Sequence, residues 1–172
     1  MKKNLALIFL LAFLFVLLQT TVLASSNTAR KYSEKPTEGT ESKYLSYSKA
    51  YHYSTPDDTQ NLFSTAAYGS LSSWGCSITI SSSGFVSAWG ESKANTIVDK
   101  IGYTLYFQQW DGYNWVDISS VSPYKLNDSA ISNNHSKSVT LNNYYRVTTR
   151  NYSILGNYQD NQSATSDYIL VN

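Results

Sequence analysis

From Trp74 to the C-terminus the chain is a succession of short runs in which apolar and polar residues alternate, cut by clusters of Gly, Asn, Asp and Ser. A period of two suits a strand with one buried face, whereas an amphipathic helix needs a period of 3.6, and no window supplies one. The runs are CSITI (76–80), FVSAW (85–89), KIGYTLYFQQW (100–110), NWVDIS (114–119), KSVTL (137–141), YYRVTTRNY (144–152) and DYILV (167–171). Their turn signals recur at hairpin spacing, which predicts an antiparallel sandwich or barrel. Residues 74–172 number 99, close to the roughly 100 of one immunoglobulin-type sandwich.

Upstream of that region the texture differs. Lys2 and Lys3 precede an apolar stretch from Leu5 to Leu18, and Val22-Leu23-Ala24 offers a small-residue cleavage site before Ser25. This three-part pattern predicts a secretory signal peptide over 1–24. Gln19, Thr20 and Thr21 leave the run short of the roughly 20 apolar residues that span a bilayer. No stable membrane insertion is expected after cleavage. The C-terminal DYILVN carries no apolar tail, so the product is expected to be released or held at the surface without a covalent anchor.

Removing 1–24 leaves 148 residues with eleven basic against twelve acidic side chains. A nearly neutral chain offers no electrostatic footprint for nucleic acid or anionic lipid. Residues 25–43 are polar and mixed in charge, with too little apolar surface to offset the entropy of ordering. Residues 44–73 are rich in Tyr and Ser around a Pro56-Asp57-Asp58 turn and show no sustained period. Together 25–73 is expected to be a disordered or loosely packed leader, its second part contributing at most a strand or a drape of tyrosines. The one cysteine, Cys76, alternates with Ile78 and Ile80. It reads as a small buried hydrophobe rather than a reactive thiol.

The segment QQWDGYNWVDIS (108–119) folds most simply as a hairpin around Asp111-Gly112. A two-residue loop sets Phe107 opposite Val116; a four-residue loop sets Trp110 opposite Trp115 and Phe107 opposite Ile118. These registers differ by an even number, so both sort the residues onto the same two faces. One face carries Ile101, Tyr103, Leu105, Phe107, Val116 and Ile118, the expected core. The other carries Tyr106, Gln108, Trp110, Tyr113, Trp115 and Asp117. A bulge would invert one strand. The aromatic face is open to three readings: rings that stack for the sheet alone, a core tryptophan at Trp115, or an exposed ligand surface. In the last, Tyr106, Trp110, Tyr113 and Trp115 stack on sugar rings and Gln108 and Asn114 bind hydroxyls. A protein-binding hot spot uses the same residue types. Trp89 is a weaker candidate, its parity unfixed relative to the hairpin.

Catalytic patterns are sparse. His52 and His135 stand in polar stretches with no second ligand at metal spacing. No G-x-S-x-G elbow occurs, and two S-x-x-K matches lack their companion motifs. Asp57, Asp58, Asp111, Asp117 and Asp128 scatter through or near turns. The Asn-x-Ser triplets at Asn127, Asn134, Asn151 and Asn161 arise freely in an Asn/Ser-rich surface. No catalytic residue, metal or cofactor is expected.

GCSITI, ANTIVDKIGYTLYFQQWDGYNWVDI, LNNYYRV and the closing YILVN resemble a domain-of-unknown-function group of small secreted proteins of Gram-positive bacteria. Its members share a TVDKIG-type strand, a W-[ND]-G-x-x-W hairpin and a YYRV strand. The resemblance covers about 74–172 and implies export and a β-sandwich but no activity. Trp89 and Tyr113 depart from it, making this chain more aromatic. YYRVTTRNY more weakly resembles the tyrosine-bearing strand of fibronectin type III and immunoglobulin-like domains, where Leu141 and Tyr145 would be corner and core residues.

The expectation is therefore an all-β, immunoglobulin- or fibronectin-III-like antiparallel sandwich over 74–172, behind a disordered leader. Its expected role is that of a secreted, non-catalytic extracellular or cell-envelope module. The expected partners are cell-wall or other polysaccharide, or alternatively an extracellular protein or a second copy. A secreted hydrolase is the least supported class.

Overall fold

The computed structural model describes residues 34–54 and 69–172, all within one compact unit. The expected signal peptide, the first part of the expected leader and the expected Pro56-Asp57-Asp58 turn lie outside the described residues. Eight strands follow in order: β1 (Tyr47–Tyr53), β2 (Leu71–Ser82), β3 (Phe85–Trp110), β4 (Trp115–Val121), β5 (Tyr124–Ser138), β6 (Asn143–Leu155), β7 (Tyr158–Thr165) and β8 (Ile169–Val171). No helix among the described residues is long and apolar enough to cross a membrane.

All the strand pairings are antiparallel, and they join into one sheet of order β1-β2-β3-β6-β7, with β4 and β5 on β3 and β8 on β6. The expected antiparallel all-β class holds. The sheet does not begin at Trp74, however: β1 pairs along its whole length with Ser73–Thr79 of β2. The second part of the leader is thus built into the fold.

The long strand β3 decides the architecture. FVSAW and KIGYTLYFQQW, read from sequence as separate strands, are its two ends. Its first half buries Val86, Ala88 and Ser92, its second Ile101, Tyr103, Leu105 and Phe107. A register shift lies between Lys93 and Val98, and the inward parity, still even at buried Val98, becomes odd from Ile101. Ser92 Oγ donates to the Gly102 carbonyl at 2.9 Å. Ten residues of straight strand would hold these groups about 33 Å apart, so β3 bends sharply and the sheet curls over itself.

Across the curl, β2 meets β6 and β7. Trp74 Nε1 donates to the Ser163 carbonyl at 3.0 Å, and the Leu71 amide to Asp160 Oδ2 at 2.9 Å. Between them lies one apolar core, including Cys76, Ile78, Leu105, Phe107, Val147, Ile169 and Val171. A Cβ on Gly90 would stand 2.6 Å from the Tyr103 ring, so only glycine lets the two halves of β3 pack this closely. Asn151, buried on β6, donates from Nδ2 to the Glu91 carbonyl (2.6 Å) and to Ser92 Oγ (2.8 Å), pinning the bend. Its burial removes Asn151 from the surface triplets.

Candidate functional site

The hairpin closes with a four-residue loop. Trp110 pairs with Trp115 and Gln108 with Asp117, then Phe107 pairs with Ser119, so Ile118 is the extra residue of a bulge. Asp111 Oδ1 accepts from the amides of Tyr113 (2.8 Å) and Asn114 (2.7 Å), and these donors hold its carboxyl below the usual range. Asp111 and Asn114 therefore serve the turn, and Tyr113 projects from its tip, 83% exposed.

Gln108, Trp110, Trp115 and Asp117 do share the face turned away from the aliphatic core. Tyr106 joins them, with the Arg150 guanidinium 5.4 Å from its ring. The bulge spares this segregation because it sits at Ile118, which packs toward the core. Val116 falls beyond the end of the core and is 44% exposed, contrary to its expected burial.

Of the three readings of this face, the exposed one fails at Trp110, which is 1% exposed. Its ring lies 5.4 Å from Trp115, Trp115 lies 5.8 Å from Tyr168, and Tyr144 meets Tyr168 edge-on at 5.6 Å. The Arg146 guanidinium stands 4.3 Å over the Trp115 ring. Arg146 Nε donates to Gln108 Oε1 (2.7 Å), and Gln108 Nε2 to Asp117 Oδ1 (2.8 Å). Burial pulls the Arg146 guanidinium below its usual range, while Glu38 and Asp117 oppose that pull.

This second cluster is roofed by part of the expected leader. Trp115 Nε1 donates to the Glu38 carbonyl (3.1 Å), Tyr168 donates its amide to the Thr40 carbonyl (2.9 Å), and the Ser42 amide donates to the Tyr168 carbonyl (2.9 Å). Pro36 is buried, and a Cβ on Gly39 would lie 3.4 Å from Arg146 Nη1 and 3.6 Å from the Tyr168 ring. A nearly all-polar segment orders here because the aromatic cluster supplies the apolar surface that it lacks. The hairpin tryptophans are thus engaged within the molecule.

A different aromatic surface stays open, on the outer face of β1, β2 and the first half of β3. Tyr51 and Trp89 are near-parallel, 22° apart with centroids at 6.1 Å, and Tyr53 meets Tyr51 edge-on at 4.9 Å. The ammonium of exposed Lys49 rests over both rings, 4.8 Å from Tyr51 and 5.1 Å from Trp89. Gly75 makes room: a Cβ there would stand 2.6 Å from the Tyr51 ring. The Tyr51 hydroxyl donates to Glu91 Oε1 (2.5 Å) and lies 3.0 Å from Ser73 Oγ. Burial, then the bond to Glu91, raises its pKa. Lys93 pairs with Glu91 at 2.9 Å, and Trp89 Nε1 donates to Ser132 Oγ at 2.6 Å. Of these residues only Trp89 stands out in the sequence, because the strand β1 that carries Lys49, Tyr51 and Tyr53 lies in a stretch without period.

Among the described residues no three His, Cys, Asp or Glu side chains gather to hold a metal. Cys76 is enclosed, and burial pushes its thiol up to about 12. His135 sits 3.2 Å from the Tyr103 hydroxyl, its pKa lowered by burial. No protein-family model matches the chain, and no curated protein matches it.

Proposed function

We propose that the protein is an exported, non-catalytic module that binds polysaccharide, cell-wall polymer first among them, through the Lys49–Tyr51–Tyr53–Trp89 face. The observation that carries this is the pair of near-parallel Tyr51 and Trp89 rings with a lysine ammonium lying over them. The lysine marks the ring faces as turned to solvent, and displacing so exposed a cation costs only about 0.5–1 kcal/mol. Flat amphipathic rings receive the C–H face of a sugar, and the exposed polar fringe of Lys93 and Ser132 suits its hydroxyls. Export rests on the signal peptide. The thiol of Cys76 is enclosed and kept protonated by burial, which removes it as a nucleophile. Kinship with immunoglobulin-like sandwiches is supported by Tyr145, whose hydroxyl donates to the Thr140 carbonyl (2.8 Å) and accepts from its amide (3.0 Å).

The test is co-sedimentation of residues 25–172 with isolated Gram-positive walls and with purified wall polysaccharide. Tyr51→Ala with Trp89→Ala should weaken retention at least roughly tenfold, or about 1.4 kcal/mol, with far-UV circular dichroism unchanged. Trp115→Ala should leave retention intact. A double variant that stays bound, or a parent that never sediments, overturns the reading.

A further inference from the structure

The Trp110–Trp115–Arg146–Tyr168 cluster is a groove that holds an extended, proline-bearing segment, and in the monomer that segment is the chain's own residues 34–42. We propose that the groove also takes this segment from a second copy, so that two molecules associate by exchanging their straps. This goes beyond the polysaccharide reading and does not rest on it, since Tyr51 and Trp89 lie at the other end of the sheet.

The strap is lightly held. Among the described residues its ties to the sheet include the Glu38, Thr40 and Ser42 backbone bonds, the last two forming the parallel bridge of Glu41 with Tyr168, the Ser42 hydroxyl donating to the Tyr47 carbonyl, and the buried Pro36. The ion pair of Lys35 with Glu41 lies within the strap and is well exposed. Segments with so few buried contacts open at low cost.

Its link to β1 is a tight reversal over residues 43–46, closed by the Tyr47 amide donating to the Tyr44 carbonyl at 3.1 Å. This reversal holds Tyr44 and Leu45 in water, 69% and 83% exposed. Opening it would free the strap and the reversal as one extended arm of 13 residues, from 34 to 46, able to reach up to about 43 Å while β1 stays paired with β2. Two copies that trade arms regain every strap contact, and the two apolar residues of the reversal come to lie between molecules. Exchange of an identical element is a low-cost route to a dimer for this reason.

The fit in cis is also imperfect. Trp110 Nε1 is buried and finds no hydrogen-bond acceptor among the described residues. An orphaned donor of that kind is a penalty, and a strap freed from the reversal has latitude to relieve it.

Two single-cysteine variants distinguish cis from trans. Thr40 and Asp167 are the next positions along from the Glu41–Tyr168 bridge. Thr40→Cys and Asp167→Cys are each purified alone and shown to keep the parent's circular dichroism and Tm. They are then mixed at high concentration and oxidised. Exchange predicts a covalent heterodimer at least roughly tenfold more abundant than from Thr40→Cys mixed with Ser82→Cys, a control placed away from the groove. The parent should elute increasingly as a dimer as concentration rises. Equal yields from the two mixtures, or a parent that is monomeric at every concentration, overturn the proposal. So does a dimer that persists unchanged when residues 25–42 are deleted, because it would use another surface.

Discussion

His135 shows how a single side chain registers its surroundings. On β5 it stands edge-on to the Tyr103 ring at 6.2 Å, and burial lowers its pKa below 6.5. In the pH window just under 6.5 the unfolded chain therefore binds more protons than the folded one. Stability rises with pH through that window and levels off above it. Urea unfolding at pH 5.5 and 7.5 should show a larger acid loss for the parent than for His135→Gln; equal losses would remove His135 from the balance. Trp89 and Trp110 make the complementary point. Both are large aromatics in strands, but Trp89 lies on the outer face of the sheet whereas Trp110 is buried beside Trp115, and nothing local to either residue distinguishes them.

Among the elements, legibility followed hydrophobicity. The apolar faces of β3, β6 and β8 are readable because each alternates against a core. β5 and β7 are not, since YKLNDSAISNNHSKS buries only Ile131 and YQDNQSAT only Ala164. Such strands are held by backbone pairing to β3 and β6 rather than by side chains, and pairing leaves no period in sequence. KSVTL was misplaced for the same reason: β5 ends at Ser138 within it. The bend of β3 depends on a buried polar network that no periodicity reveals. Asn151→Ala should remove its bonds to the Glu91 carbonyl and Ser92 Oγ and cost about 1–3 kcal/mol, read as a lower urea midpoint at constant m-value. Asn134→Ala, exposed on β5, should stay within about 0.5 kcal/mol.

For the whole molecule, the consequence is that the aromatic face of the hairpin is partly sealed by residues 36–42 of the same chain. Deleting residues 25–42 should leave the sheet's circular dichroism intact while making tryptophan fluorescence more accessible to acrylamide. The loss of the strap's bonds is of order 1–2 kcal/mol, or roughly 2–8 °C in Tm. Unchanged quenching would mean that the strap does not cover the cluster. The same deletion leaves Lys49, Tyr51 and Trp89 in place, so wall binding should survive it. In this way the two surfaces can be tested separately.

By itself the sequence determined the antiparallel all-β class, the inward row of Ile101, Tyr103, Leu105 and Phe107, the burial of Cys76 and the gathering of Gln108, Trp110, Trp115 and Asp117 on one face. All of these follow from the alternation of side chains along a strand, which is local. Only the tertiary structure decided that the outer side of that face would be roofed by residues 36–42, and that Tyr51 would lie across Gly75 toward Trp89. Those outcomes depend on contacts between segments far apart in the chain, made where β3 folds back and brings distant strands together. Alternation says which side of a strand a residue faces; what comes to lie on that side is set by the path of the rest of the chain.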